Sequence, residues 1–189
     1  METQQSILKA AQSLFAQLGL KKVTTDDIAR KAHVSKTTIY KFFKNKKEIF
    51  DLVVQQEAES IIRDIKGAIE PETTVKAKLR AHLIIHISKI RDFVNLYRVT
   101  LDTWGEFWEY IARIRVWFLT EEIEIVRQVL AGGVKKGEIY VRDIKLSARI
   151  LVISLTALEY QWAFKGDDVS LAEYIDTMLE MMVEGIKKR

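Results

Sequence analysis

Apolar residues recur along this chain at the three- and four-residue spacing of helices, with few interruptions. Ile7, Ala11, Leu14, Phe15 and Leu18 mark the first helix, and Gly19 supplies its stop. After Lys21-Lys22-Val23, Thr24 or Thr25 can cap a short second helix carrying Ile28, Ala29 and Ala32, with Asp26 and Asp27 at its positive end. His33-Val34 makes a tight turn. Ser35 is then a good N-cap for a third helix over Lys36–Phe42, whose Ile39 and Phe43 face inward. This arrangement is helix-turn-helix. Asn45 can cap a helix of about 36 Å running through Ile49, Val53, Ile61 and Ile65 to Ile69, ended by Pro71. Thr73 or Thr74 starts the next helix, through Leu79, Leu83, Ile87 and Ile90. Asp92 opens another with Phe93, Leu96, Tyr97 and Leu101. Trp104–Ala131 reads as one long helix, followed by a connection from Gly132-Gly133 to Gly137. Asp143 caps a helix to about Phe164, and Ser170 with Glu173 forms the capping box of the last. The expectation is an all-α chain of about nine helices.

Composition narrows the function classes. The 189 residues have room for one domain or two small ones. With no cysteine, there are no disulfides, thiol nucleophiles or Cys-ligated metal sites, and a cytoplasmic location is expected. The longest charge-free run, Ala10 to Leu20, is 11 residues, short of the roughly 17–25 a membrane-spanning helix needs. No membrane partner is expected. The first residues lack a basic segment ahead of an apolar run, so no secretory signal is expected either. Gly132 and Gly137 have phosphate-loop separation, but Glu138 stands where Lys is required, and no nucleophile-elbow or dinucleotide fingerprint occurs. An enzyme is not expected, and no cofactor is implied.

Charge is distributed unevenly. Residues 1–50 carry ten Lys/Arg against four Asp/Glu, net +6, whereas residues 51–189 carry twenty against twenty-two, net −2. A basic head on a neutral body suits a polyanion, since neutralising phosphates releases counterions; the bland alternative is a solvated lysine-rich face. In a helix-turn-helix the second short helix enters the major groove, which makes Lys36, Thr37, Thr38, Tyr40 and Lys41 the candidate reading surface. Thr24 belongs with this DNA-contacting set. The hydroxyls of Thr25 and Ser35, the N–H groups of their helix starts, and Lys44 and Lys46 can hold phosphates and set register.

Residues 7–50 carry a longer signature. Thr24-Thr25-Asp26-Asp27-Ile28-Ala29-Arg30-Lys31-Ala32, then Val34-Ser35-Lys36, then Thr38-Ile39-Tyr40-Lys41-Phe42-Phe43-Lys44-Asn45-Lys46-Lys47-Glu48-Ile49-Phe50, resemble the TetR family of bacterial and archaeal transcriptional regulators. The resemblance is close over about fifty residues and extends beyond them only as helical layout. It implies a three-helix DNA-binding domain over residues 1–46, with the motif at about 24–43, and a helical ligand-binding and dimerisation domain over residues 47–189. It also implies DNA contacts from Thr25, Ser35, Lys36, Thr37, Tyr40, Lys41 and Lys46. Two positions depart from the family. His33 stands where Gly is usual, at a position that favours φ > 0, so strain or a shifted turn is expected there. Thr37 replaces a common Gly and puts a side chain where backbone normally approaches DNA, which opens the way to a direct base contact.

In the body, the segment from Ile150 to Leu158 is apolar nearly all round its helix, and a second chain is expected to cover its outer side; the alternative is a wholly internal core helix. Ile150, Leu151, Leu155 and Leu158, with Met178 and Met182 of the last helix, are the expected homodimer contacts in a four-helix bundle. Tyr97, Trp104, Phe107, Trp108, Trp117, Phe118 and Tyr160, beside His82 and His86, suit a pocket for a small hydrophobic or aromatic effector. His82 and His86 are spaced i, i+4 and could share a metal. Residue 83 is Leu, however, and no carboxylate follows at a diagnostic spacing, so a ligand-facing or buried structural role is expected and no metal centre. The combined expectation is a ligand-responsive repressor that binds a palindromic operator in double-stranded DNA as a dimer. The competing reading is a helical enzyme or carrier of an anionic ligand such as a coenzyme A ester.

Overall fold

The computed structural model describes residues 2–92, 108–164 and 170–186. Among them are eight helices: α1 (Glu2–Leu18), α2 (Thr25–Lys31), α3 (Lys36–Phe42), α4 (Lys46–Ile69), α5 (Val75–Asp92), α6 (Trp108–Lys135), α7 (Ile144–Phe164) and α8 (Leu171–Ile186). The all-α expectation holds. The additional helix expected over Phe93–Leu101, and the expected start of the long helix at Trp104, lie outside the described residues. None of the described helices is long and apolar enough to cross a membrane.

Most helix starts follow the local signals. Thr74 accepts a hydrogen bond from Ala77 N at 3.1 Å, Asp143 from Leu146 N at 2.9 Å and Ser170 from Glu173 N at 3.2 Å. One stop does not. The Gly132-Gly133 pair was expected to open a connection, yet α6 runs through it to Lys135. The reason is tertiary: a Cβ on Gly133 would come within 2.2 Å of Val75 Cγ2, so the glycine provides a close approach rather than a break. The helix instead ends at Gly137, φ +71°, where Glu138 N donates to Gly133 O at 2.9 Å and Gly137 N to Val134 O at 3.0 Å, a Schellman closure.

The chain forms two compact units. Of the described residues, the first comprises 2–59 with 108–115; the second comprises 60–92 with 116–164 and 170–186. Packing in the first unit extends past residue 46, because Ile49, Phe50, Val53 and Val54 of α4 share a core with Ile7, Phe15, Ile28, Ile39 and Phe43. Phe15 and Phe50 meet edge to face at 5.4 Å, an arrangement that adds about 0.5–1.5 kcal/mol to simple burial. In the second unit α5 packs against α7 and α8; Leu79, Leu83 and Ile87 of α5 are buried, as are Val152 of α7 and Ile175 and Leu179 of α8. Arg80 of α5 and Asp176 of α8 form a two-point ion pair at 2.5 and 3.0 Å.

Candidate functional site

The helix-turn-helix is built by short-range polar closure over an apolar floor. Thr24 is the N-cap of α2: its Oγ1 accepts from Asp27 N at 3.2 Å, while Thr24 N donates to Asp27 Oδ2 at 3.0 Å. The Thr24 hydroxyl also donates to Asp27 Oδ2 at 2.6 Å, and this bond, with the one from Thr24 N, holds the Asp27 carboxyl below its ordinary range. Ser35 caps α3 by accepting from Thr38 N at 3.0 Å, and its hydroxyl meets Thr38 Oγ1 at 2.8 Å. Between the two helices His33 adopts φ 56°, the left-handed conformation expected there. Val34 N donates to Ala29 O at 3.0 Å and His33 N to Arg30 O at 3.3 Å, which makes His33 the C′ residue of a Schellman closure usually given to glycine.

Ile39 and Phe43 are each 1% exposed, which turns the rest of α3 outward. Lys36, Thr37, Tyr40 and Lys41 are exposed, as is Lys44 beyond the helix; Thr25 and Thr38 are half-buried. Tyr40 OH shares a 3.4 Å hydrogen bond with Thr25 Oγ1, so α2 and α3 present one continuous polar surface. Lys36 is held by Asp26 at 2.9 Å, and that hydrogen bond raises the ammonium above its ordinary value. The Asp26 partnership was not anticipated, because it depends on how α2 and α3 cross.

Lys46 requires a correction. The sequence placed it on a phosphate, but its ammonium donates to Leu20 O and Val23 O, both at 2.8 Å, and partial burial lowers its pKa. It closes the loop between α1 and α2 instead of standing free for DNA.

In the second unit α5 and α6 bring together three polar side chains that are each 1% exposed: His82, His86 and Glu122. His82 Nε2 lies 2.9 Å from Glu122 Oε1, and His86 Nδ1 bonds the same oxygen. Burial pushes the Glu122 carboxyl up, but the charge of His86 and hydrogen bonds from both imidazoles outweigh it and hold the group at about 2. The Phe118 ring stands against His86, with centroids 5.9 Å apart. The sequence singled out both histidines and missed Glu122, which lies 40 and 36 residues away and carries no local signal.

Two apolar cavities adjoin this region. One of about 190 Å³ is lined by residues including Leu130, Val141, Ile150 and Met182; one of about 30 Å³ is lined by residues including His82, Leu83 and Ser154. Leu79, Leu151, Leu179 and Met182 border both. Of the expected effector residues, His82, His86 and Phe118 are buried here. Trp117 is 37% exposed and does not face inward, because α6 turns the next residue, Phe118, toward the core. Tyr97, Trp104 and Phe107, and the side chains of Trp108 and Tyr160, lie outside the described residues. Along the expected dimer face, Ile150 is 54% exposed, while Leu151, Met178 and Met182 are half-buried; the side chains of Leu155 and Leu158 are outside the described set. Met181, not anticipated, is 74% exposed.

Comparison with known proteins agrees with this geometry. The family model described as bacterial regulatory proteins, tetR family, matches residues 7–53. The helix-turn-helix transcriptional regulator YhgD of Bacillus subtilis is 29% identical, covering 94% of this chain and 92% of its own. The fatty acid metabolism regulator protein of the same organism is 26% identical, covering 97% and 95%. The crystal structure of the regulator FadR from Bacillus subtilis in complex with stearoyl-CoA superposes with a TM-score of 0.73 at 25% identity, covering 96% of this chain and 98% of that one. These relatives are described as regulators and not as enzymes or carriers. The matched head is thus that of the TetR family of helix-turn-helix transcriptional regulators, and the chain as a whole is similar in length and fold to such regulators.

Proposed function

We propose that the protein is a cytoplasmic repressor that binds a palindromic operator as a homodimer and is released by an acyl thioester. In this reading residues 1–46 bind DNA and residues 47–189 bind the effector and the second chain. The observation that carries the DNA half is the burial of Ile39 and Phe43, which directs Lys36, Thr37, Tyr40 and Lys41 away from the core on one face of α3. Thr25, Ser35 and Lys44 flank that face and suit phosphates. A twofold dimer presents two such helices, so the half-sites should lie one helical turn, about 34–36 Å, or a small multiple of it apart.

The effector half rests on the apolar cavities bordered by Leu79, Leu151, Leu179 and Met182 and on the stearoyl-CoA held by the Bacillus subtilis relative. Effector and operator oppose each other through their differential affinity for two states, so each should weaken the other by the same factor.

The test is selection of an operator from random duplexes, followed by titration with and without stearoyl-CoA. Lys36→Ala and Tyr40→Ala should weaken the selected operator by roughly tenfold or more while changing random DNA little. Lys44→Ala should weaken both alike and lower the salt slope by about one. Equal losses from all three variants on both DNAs would defeat the assignment of base contacts. Unchanged operator affinity in saturating stearoyl-CoA would defeat the acyl effector and leave DNA binding standing.

A further inference from the structure

Two imidazoles on consecutive turns of α5 address one carboxylate oxygen from α6, and we propose that His82, His86 and Glu122 form the binding site of a divalent first-row transition-metal ion of the zinc class. The site is independent of the acyl effector proposed above.

Convergence is the first argument. His82 and His86 offer one ring nitrogen each and Glu122 one oxygen, and these three atoms all lie within 4.8 Å of one another. As hydrogen-bond donors alone, the imidazoles could take separate carboxylate oxygens. Here His82 Nε2 and His86 Nδ1 both turn to Oε1, which gathers the three donor atoms at one point.

Burial is the second. Each of the three side chains is 1% exposed, in surroundings that include Phe118, Leu83 and Val126. A buried carboxylate needs a positive partner or a metal. One protonated imidazole would balance the carboxylate as an ion pair; the alternative balance is a metal. A divalent ion provides positive charge while both imidazoles stay neutral, the form in which nitrogen coordinates.

The far side of His82 supplies the third. Its Nδ1 is buried with no hydrogen-bond partner, and the ring borders the cavity of about 30 Å³ that Ser154 also lines. A metal on Nε2 requires the proton on Nδ1, and metal-bound histidines donate that proton to a carbonyl, a carboxylate or a water.

Two imidazoles and one carboxylate are the donors of zinc and its first-row neighbours. Calcium and magnesium take oxygen ligands, and copper(I) takes sulfur. Three protein donors leave a coordination position for water or for an oxygen of a bound small molecule. An ion at this point would tie α5 to α6 within the second unit.

The experiment uses the full chain, freed of metal with a chelator, dialysed, and titrated with Co²⁺ as a visible probe and Zn²⁺ as its competitor. The expected result is saturation at one Co²⁺ per chain, with absorption bands of low-coordinate cobalt bound by nitrogen and oxygen. Zn²⁺ should displace them and raise the thermal midpoint. Glu122→Gln keeps the side-chain shape and can still pair with an imidazole, so it should fold with parental helicity yet bind at least about tenfold more weakly. His33→Ala, which alters a histidine of the first unit, should bind as the parent does. No saturable binding to the folded parent chain at micromolar metal would overturn the proposal and leave the triad a hydrogen-bonded network. Parental affinity in folded Glu122→Gln would overturn it equally, since the ion would then sit elsewhere.

Discussion

In the first unit Thr24, Ser35 and Asn45 stand exposed, and each closes a helix start by bonding an N–H three residues on. In the second unit His82, His86 and Glu122 are sealed from solvent, and meet across 40 and 36 residues. Exposed caps can be lost one at a time, each at a cost of about 1 kcal/mol, because water takes over the freed groups. A buried network has no such substitute, so removing one member strands the others at a full desolvation cost. These caps of the first unit are therefore local and separable, whereas the triad of the second is distant in sequence and acts as a whole.

The largest expected effect would separate the two regions. Ile150→Glu puts a charge on the exposed apolar side of α7 and should give monomers in which both units still fold. Operator affinity should then fall about a hundredfold or more, because the second half-site loses its effective concentration. Sedimentation showing a dimer at low micromolar concentration would reject this interface.

Lys46→Ala tests whether the head has its own long-range polar dependence. Removing the ammonium frees Leu20 O and Val23 O, and should cost about 1–2 kcal/mol of stability after allowance for solvent. Denaturant unfolding measures the loss. An unchanged midpoint combined with weaker binding to every DNA sequence would restore Lys46 to the phosphate role read from the sequence.

The smallest effect runs in the opposite direction. His33→Gly relieves a left-handed residue in the Schellman closure and should stabilise the head by about 1 kcal/mol, seen as a rise of a few degrees in its thermal midpoint. A fall would mean that the imidazole contributes more than the backbone conformation costs.

The same division accounts for what could be read from the sequence. The Thr24 and Ser35 caps, the left-handed His33 and the inward Ile39 and Phe43 were all legible, since each follows from residues within one or two turns. The bonds of Lys46 were not legible because the carbonyls it meets lie 26 and 23 residues earlier. Gly133 looked like a break because its neighbour Val75 is distant in sequence, and Glu122 looked like one more acidic residue on a charged helix. Trp117 and Phe118 were grouped as one aromatic cluster, although adjacent helical positions diverge by about 100° and only one of them faces the core.

The Lys36–Asp26 ion pair bears on the time the protein needs to find its target. A cation already partnered adds little to the attraction toward an arbitrary stretch of duplex, where each phosphate must compete with the carboxylate in place. Weak general adhesion shortens each fruitless stop along a chromosome. If the proposed base contact of Lys36 holds, a guanine edge would offer the ammonium two acceptors in exchange for the carboxylate, and the stop there would lengthen. Asp26→Asn would thus make a regulator that sticks more firmly everywhere and dwells less selectively where it should.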